Sequence, residues 1–325
     1  MLKNRQTSYS PAGEYIKTLF PSFVAIIILF LVGDRIAKGF ISLNNISSIL
    51  MTGALLAIAS VAQNTVVIGG GNGIDLSLGA IASFTALICP TLPMDTIPQL
   101  LLAVLAALVI GALFGSVNGF FISRLKMSPL IITLIMSSVV SGVVMVLTRG
   151  QPSAHISDLL KQLSSIIVSP IRVLTLIGFL FVIASELFLH RTRAGKMLLL
   201  VGDNLHAAQL CGINVRRVVF FSYVASGAIA GLLGLMIVGY AGSTTLNMAE
   251  SYTLLSLAAI TIGGTNLSGG KGSLLGGALG AVVLIQMTSI LQALNMDQGM
   301  RQVIQGCILI VIIIFNTQSQ KSSRR

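Results

Sequence analysis

Asp75 is one of few ionisable residues in the apolar stretches of this sequence, and glycines lie close to it. They occupy positions 69, 70, 71 and 73, and glycines in series disfavour a continuous helix. Asn72 or Asp75 can cap the helix that follows. An acid at membrane depth is a functional candidate, and transporters often break helices at such points. A simple helix cap at the membrane interface explains the same pattern, so both interpretations stay open.

A second candidate is the polar segment 202–213, which predicts a short helix. Asp203 fits its N-cap, and Gly212 fits the position that stops it. Three residues between them can share one helix face: Leu205, Ala208 and Cys211. Four basic residues flank the segment: Arg193, Lys196, Arg216 and Arg217. Such a helix can dock into a groove on a partner, but an ordinary surface helix has the same spacing.

The sequence lacks the residue patterns on which most enzymes depend. It has nine acidic residues and three histidines (His155, His190 and His206), without an HExxH or GxSxG pattern. The glycine-rich run at 267–271 is not a P-loop, because Thr265 replaces the first glycine and Gly272 follows the lysine. The three cysteines show neither zinc-ligand nor disulfide spacing. We therefore expect no catalytic residue, cofactor or metal.

The composition indicates an integral membrane protein. Of 325 residues, 54% are hydrophobic and 9% are charged, with a mean hydropathy of +0.95. Soluble domains carry about 25% charged residues, so this chain cannot cover a soluble surface. Its net charge of +11 fits basic cytoplasmic loops better than nucleic-acid binding, since no nucleic-acid motif is present.

Apolar runs separated by charges and turn residues predict an all-α polytopic bundle of about ten transmembrane helices. The predicted spans are 19–36, 43–67, 74–94, 98–122, 129–148, 171–190, 217–240, 252–267, 273–294 and 302–316. Glycines recur every four residues in or next to three of them, which predicts closely packed helices. They are Gly111, Gly115 and Gly119; Gly227 and Gly231; and Gly272, Gly276 and Gly280.

The charge distribution predicts that both termini are cytoplasmic. With the N-terminus inside and ten spans, 14 of the 20 basic residues fall in cytoplasmic segments, as the positive-inside rule requires. The predicted organisation is a cytoplasmic segment at 1–18, a transmembrane domain at 19–316 and a basic cytoplasmic tail at 317–325. A cytoplasmic loop at 191–216 contains the short polar helix.

Four motifs in this order resemble those of the ribose-type ABC sugar permeases, and the resemblance covers nearly the whole chain. They are Gly-Ile-Asp-Leu-Ser-Leu-Gly at 73–79, Ser-Pro-Leu-Ile-Ile-Thr-Leu at 128–134, the loop from Thr-Arg-Ala-Gly-Lys at 192–196 to Gly-Ile at 212–213, and Gly-Gly-Thr-Asn-Leu-Ser-Gly-Gly-Lys-Gly at 263–272. The sequence departs from the family's common residues at Asn72, Ala80 and Asn266, which leaves the solute open.

The resemblance implies a multi-pass permease subunit of an ATP-binding cassette importer in the bacterial plasma membrane. Such a subunit moves a small polar solute, here a monosaccharide, by alternating access. Its implied partners are cytoplasmic ATPase subunits, an extracytoplasmic solute-binding protein and a second permease chain, within membrane lipid. Nucleosides and branched-chain amino acids are alternative solutes. An ion-coupled secondary transporter is a further alternative, for which Asp75 and Glu186 are the nearest intramembrane acids.

The resemblance also implies site residues. The loop residues expected to contact the ATPase are Asp203, Asn204, His206, Ala207, Ala208, Cys211, Gly212 and Ile213, with His206 in place of a glutamate common in ABC importers. Polar residues near the spans are expected to line the translocation path: Gln63, Asn64, Asn72, Asp75, Ser77 and Asn118.

Overall fold

A computed structural model describes residues 11–70, 73–151, 156–168, 170–308 and 310. The described helices are α1 (Pro11–Ile36), α2 (Leu43–Ile68), α3 (Leu78–Ile88), α4 (Ile97–Leu125), α5 (Pro129–Thr148), α6 (Asp158–Lys161), α7 (Val173–Arg191), α8 (Arg193–Asp203), α9 (Leu205–Leu210), α10 (Val215–Ala241), α11 (Ser251–Ile262) and α12 (Leu274–Ala293). Residues 298–308 are also helical.

Within the described ranges, seven helices are long and apolar enough to cross a membrane, so the predicted polytopic helical class is confirmed. They are α1, α2, α4, α5, α7, α10 and α12. Predicted spans 74–94 and 252–267 contain shorter apolar helices, because the glycine-rich segments beside them are not helical.

Three predicted segments lie wholly or partly outside the described residues. They are the last span, 302–316, the basic tail, 317–325, and the first ten residues of the N-terminal segment. The helix α1 begins at Pro11, so the described end of that polar segment is already helical. The count of ten spans and the sides of the termini stay predictions.

Helix α2 forms the centre of the bundle. In α2, 72% of the apolar window is buried, against 11% in α1. Buried leucine, isoleucine and alanine side chains of α2, α3, α10 and α12 form the main hydrophobic cluster. The apolar faces of α1, α4 and α5 are largely exposed, as expected for helices that contact lipid.

The predicted close packing of glycines is confirmed between α4 and α10. A Cβ atom on Gly111 would overlap the carbonyl oxygen of Gly227, and one on Gly227 would overlap that of Gly111. Gly119 lies against Phe220 in the same way, so the two helices run antiparallel. Only a hydrogen in place of a side chain lets the two backbones approach this closely.

The loop between α5 and α7 differs from a purely helical prediction, because it contains a small hairpin. Strand β1 (Ile166–Val168) pairs antiparallel with β2 (Ile171–Arg172). The Arg172 side chain donates to Ser47 Oγ at 3.0 Å and to the Ser164 carbonyl at 2.9 Å. These bonds attach the loop to the N-terminal end of α2, at the end of the bundle opposite to α9.

Candidate functional site

Residues 73–77, which precede α3, are not helical, and side chains from the rest of the bundle bond to their backbone. In the amide orientation that satisfies both partners, the Gln63 side chain donates to the Asp75 carbonyl at 3.0 Å and accepts from the Asp75 N–H at 3.1 Å. Thr253 Oγ1 accepts from the Gly79 N–H at 3.0 Å. Irregular backbone at membrane depth is tolerated only where its polar groups find partners, and these side chains supply them.

The Asp75 carboxylate and the Ser77 hydroxyl together join three elements of the bundle. Its Oδ1 accepts from the Ser77 N–H at 2.9 Å and the Ser77 hydroxyl at 2.6 Å. Its Oδ2 accepts from the Ser226 hydroxyl of α10 at 2.9 Å. The Asn118 amide of α4 donates to Ser77 Oγ at 2.9 Å. The carboxylate therefore caps the local turn and ties it to α10, while Ser77 ties it to α4.

Five residues of the predicted translocation path are described, and all are buried: Gln63, Asn64, Asp75, Ser77 and Asn118. Four of them form the network around Asp75, whereas Asn64 donates to the Ser273 carbonyl at 3.0 Å. Asn72 lies outside the described residues. Within the described part of the chain, Asn118 Oδ1 has no hydrogen-bond partner. Contact between these residues and a solute stays a prediction.

A second glycine-rich break joins α11 to α12, and Glu186 of α7 caps the helix that follows it. Glu186 Oε2 accepts from the N–H groups of Leu274 and Leu275 at 2.6 and 3.1 Å, and Oε1 accepts from the Ser273 hydroxyl at 3.2 Å. His190 lies 3.1 Å from Oε1. The positive end of a helix dipole stabilises a carboxylate there. These bonds give Glu186 a structural task that does not involve ion coupling.

Both breaks meet α8 at a junction of glycines, here called the glycine junction and defined as Gly70, Gly202, Gly269 and Gly270. A Cβ atom on Gly70 would lie 2.7 Å from Gly202 Cα, and one on Gly269 would lie 2.5 Å from Gly70 Cα. The Gly270 N–H donates to the Ile68 carbonyl at 3.1 Å. The end of α8 is therefore in backbone contact with both broken segments.

Helix α9 follows α8 directly, and the structure corrects its predicted cap. Asn204, not Asp203, is the N-cap, because its Oδ1 accepts from the N–H groups of His206 and Ala207, both at 3.0 Å. Asp203 is the last residue of α8. Gly212 has a φ of +77°, which suits the predicted stop after α9.

The three residues predicted to share one face of α9 differ in exposure. Ala208 is buried against the protein, at 3% exposure, whereas Leu205 is 39% exposed. Leu210, which the sequence reasoning missed, is 90% exposed and gives α9 a protruding apolar side chain. The helical period alone could not show which face of so short a helix points outward.

Two further candidate residues, Ser226 and Thr253, could not be predicted from their positions in the sequence. Ser226 lies 151 residues from the carboxylate it binds, and Thr253 lies 174 residues from Gly79. Serine and threonine are common in apolar helices, where they bond to their own backbone, so nothing in the sequence separates these two from the others.

Comparison of the sequence with known proteins places the chain in a family. Residues 45–313 match the family model described as the permease component of the branched-chain amino acid transport system. The chain is 29% identical to the ribose import permease of Escherichia coli K12, over 92% of this chain and 94% of the relative. It is also 29% identical to the fructose import permease of Bifidobacterium longum, over 92% of this chain and 91% of that protein.

A third relative agrees with the first two. A protein of Escherichia coli K12 that bears the name "probable ABC transporter permease protein" is 34% identical, over 93% of this chain and 90% of its own length. The matched region runs from the start of α2 past α12, and so includes both breaks, α8 and α9. The chain is a multi-pass bacterial inner-membrane protein, and it belongs to this family of transport-system permease components.

Proposed function

We propose that this chain is the membrane-spanning subunit of an ATP-driven importer that brings a monosaccharide into the cell. The main support for the proposal is the glycine junction. It joins α8, and through α8 the exposed helix α9, to both broken segments within the bundle. Relatives named for ribose and fructose import support a sugar as the solute.

Helix α9 is the proposed contact with a cytoplasmic ATPase subunit. Leu210 projects from it at 90% exposure, and the exposed basic residues Arg193, Lys196, Arg216 and Arg217 flank it in the sequence. Protein interfaces combine an apolar centre with a polar rim, and Leu210 with the basic residues near it provides both. The predicted contact residues Asp203, Asn204, His206, Ala207, Cys211 and Gly212 are exposed too, whereas Ala208 is buried.

The proposed mechanism begins when ATP binding closes the ATPase pair and displaces α9. Since α9 follows α8 without a linker, α8 moves with it. The backbone contacts of Gly202 then shift the segments on both sides of the junction. A cavity of about 840 Å³ between α2, α7, α8 and α10, lined mostly by apolar side chains, gives α8 room to move.

We further propose ten membrane elements with both termini in the cytoplasm. The short helices α3 and α11 add two elements to the seven long helices, and the segment after residue 297 adds the tenth. The basic residues around α9 then face the cytoplasm, as the positive-inside rule requires. A second permease chain and an extracytoplasmic solute-binding protein complete the proposed importer.

The proposed function is tested by replacing Leu210 with aspartate in the full chain. A charge at this position removes the apolar contact, so we expect the ATPase subunits that copurify with the unmodified chain to be lost, together with ATP-dependent sugar uptake. Leu294→Asp is the matched control, because Leu294 is also exposed, at 46%, but follows α12 at the opposite end. Unchanged copurification with Leu210→Asp, or sugar uptake without nucleotide, would overturn the proposal.

A further inference from the structure

A polar cleft opens at the end of the bundle opposite to α9. It lies between the α1–α2 turn, the first half of α2, the second half of α12 and the end of α10, with a volume of about 560 Å³. Thr52, which lines the cleft, precedes Ile68 at the glycine junction by 16 residues of α2. At about 1.5 Å per residue, this separation is roughly 24 Å. If α9 faces the cytoplasm, the cleft opens outward.

One part of the cleft wall is held by its own hydrogen bonds. The Ser289 hydroxyl of α12 donates to Asn45 Oδ1 of α2 at 3.3 Å, and the Asn45 amide donates to the Phe40 carbonyl at 2.7 Å. The Thr52 hydroxyl donates to the Ser48 carbonyl within α2 at 2.7 Å. These bonds fix two helices and the preceding turn, so the cleft is preorganised without a ligand.

Other lining groups are available to a ligand. Within the described residues, the side chains of Ser48, Gln292, Lys38 and Tyr240 make no hydrogen bond, although all four line the cleft. They supply a hydroxyl, an amide, an ammonium group and a phenol from four different parts of the wall. Such converging polar groups, with one aromatic ring, are typical of a small-molecule site.

The lining chemistry selects among solute classes. Hydroxyl and amide groups can donate and accept, which suits a neutral ligand with many hydroxyls, and the aromatic side chain of Tyr240 lines the same cleft. Lys38 is the one charged residue among the described lining residues. An amino acid also carries an ammonium group, which pairs most strongly with a carboxylate, and none of the described lining residues is an acid. A neutral sugar therefore fits better than a branched-chain amino acid.

We propose that this outer cleft is a receiving site for a neutral polyhydroxylated solute, in which Ser48 and Gln292 contact the hydroxyl groups. The proposal rests on the proposed function, because it assigns the cleft to the outer face. It adds a solute site on this chain apart from the Asp75 network, because Gln63 of that network follows Thr52 in α2 by 11 residues, roughly 16 Å along the helix.

The test uses the purified full chain in nanodiscs and saturation-transfer NMR, which detects weak ligands. The probes are D-ribose and D-fructose as neutral sugars, ribose 5-phosphate as an anion and L-leucine as a zwitterion. We expect signals from at least one neutral sugar and none from L-leucine. Gln292→Leu and Ser48→Val should each weaken sugar binding by about fivefold, the effect of losing one hydrogen bond.

Asn44→Ala is the matched control, because Asn44 is exposed beside Asn45 but does not line the cleft. It should leave the sugar signal unchanged. Sugar signals that persist in both cleft variants, no signal from either sugar, or stronger binding of L-leucine or ribose 5-phosphate would each overturn the proposal. Copurification of ATPase subunits with the same variants separates the two proposals. If the ATPase subunits still copurify with Gln292→Leu and Ser48→Val while these variants bind sugar as before, the cleft assignment fails and the importer function stands.

Discussion

At the residue scale, the Asp75 network shows how a bundle accommodates a break in a helix. Gln63 replaces the two backbone partners that a helix would have given Asp75. The carboxylate in turn accepts three hydrogen bonds from Ser77 and Ser226. Burial of polar groups is costly unless they are paired, so each of these side chains stabilises one specific conformation of the broken segment.

Replacing Gln63 with leucine should destabilise the chain, because it leaves the N–H and C=O of Asp75 without partners. Each buried unsatisfied group costs about 1–3 kcal/mol, so we expect a clear decrease in the thermal unfolding midpoint in detergent. Gln298→Leu is the control, since Gln298 is exposed and its side chain makes no hydrogen bond within the described residues. Equal midpoints for the two variants would show that the Gln63 pairing contributes nothing to stability.

At the element scale, α9 depends on its cap more than the longer helices do. It has six residues, and helices this short are unstable in isolation. The two bonds to Asn204 Oδ1 satisfy two of its unpaired N–H groups. The Ile213 N–H closes the other end with a 3.0 Å bond to the Ala208 carbonyl.

Replacing Asn204 with alanine should therefore loosen α9 locally. Loss of a cap costs about 1 kcal/mol, and we expect faster amide hydrogen exchange across residues 205–213 with little change elsewhere. Asp203→Ala is the matched control, because the neighbouring acid does not cap the helix. Faster exchange in Asp203→Ala than in Asn204→Ala would show that Asp203 is the N-cap, as the sequence predicted.

At the scale of the whole molecule, the glycine junction connects elements that are far apart in the chain. The Gly70, Gly202 and Gly270 backbones meet without intervening side chains. Protein interiors are packed too densely to absorb an added group there without moving. Any displacement of α8 must then reach both breaks, which is why the junction supports a coupled switch.

Gly202→Ala tests this transmission directly. The added Cβ would overlap the Ile68 carbonyl oxygen, and overpacking of this kind costs about 1–3 kcal/mol. We expect ATP-dependent uptake to fall by about tenfold or more, while the ATPase subunits still copurify. Gly142→Ala is the control, because no atom lies within 4 Å of the position of its Cβ. Wild-type uptake by Gly202→Ala would exclude the junction from coupling.

The amino-acid sequence alone determined the class of protein, seven of the spans to within a few residues at most ends, the break near Asp75 and the motifs of the family. These features are local, since each depends on hydrophobicity, glycine or residue order within one segment. The predicted span 129–148 coincides with helix Pro129–Thr148 for this reason.

Only the tertiary structure decided which polar groups meet, which face of α9 points outward and where the polar cleft lies. Asn64 bonds to Ser273 across 209 residues, and Glu186 caps a helix that begins 88 residues later. Serine, asparagine and glutamate can serve many partners, and their position in the packed bundle selects one. The residue types set what each side chain could do, whereas the packing of distant helices determined what each one does.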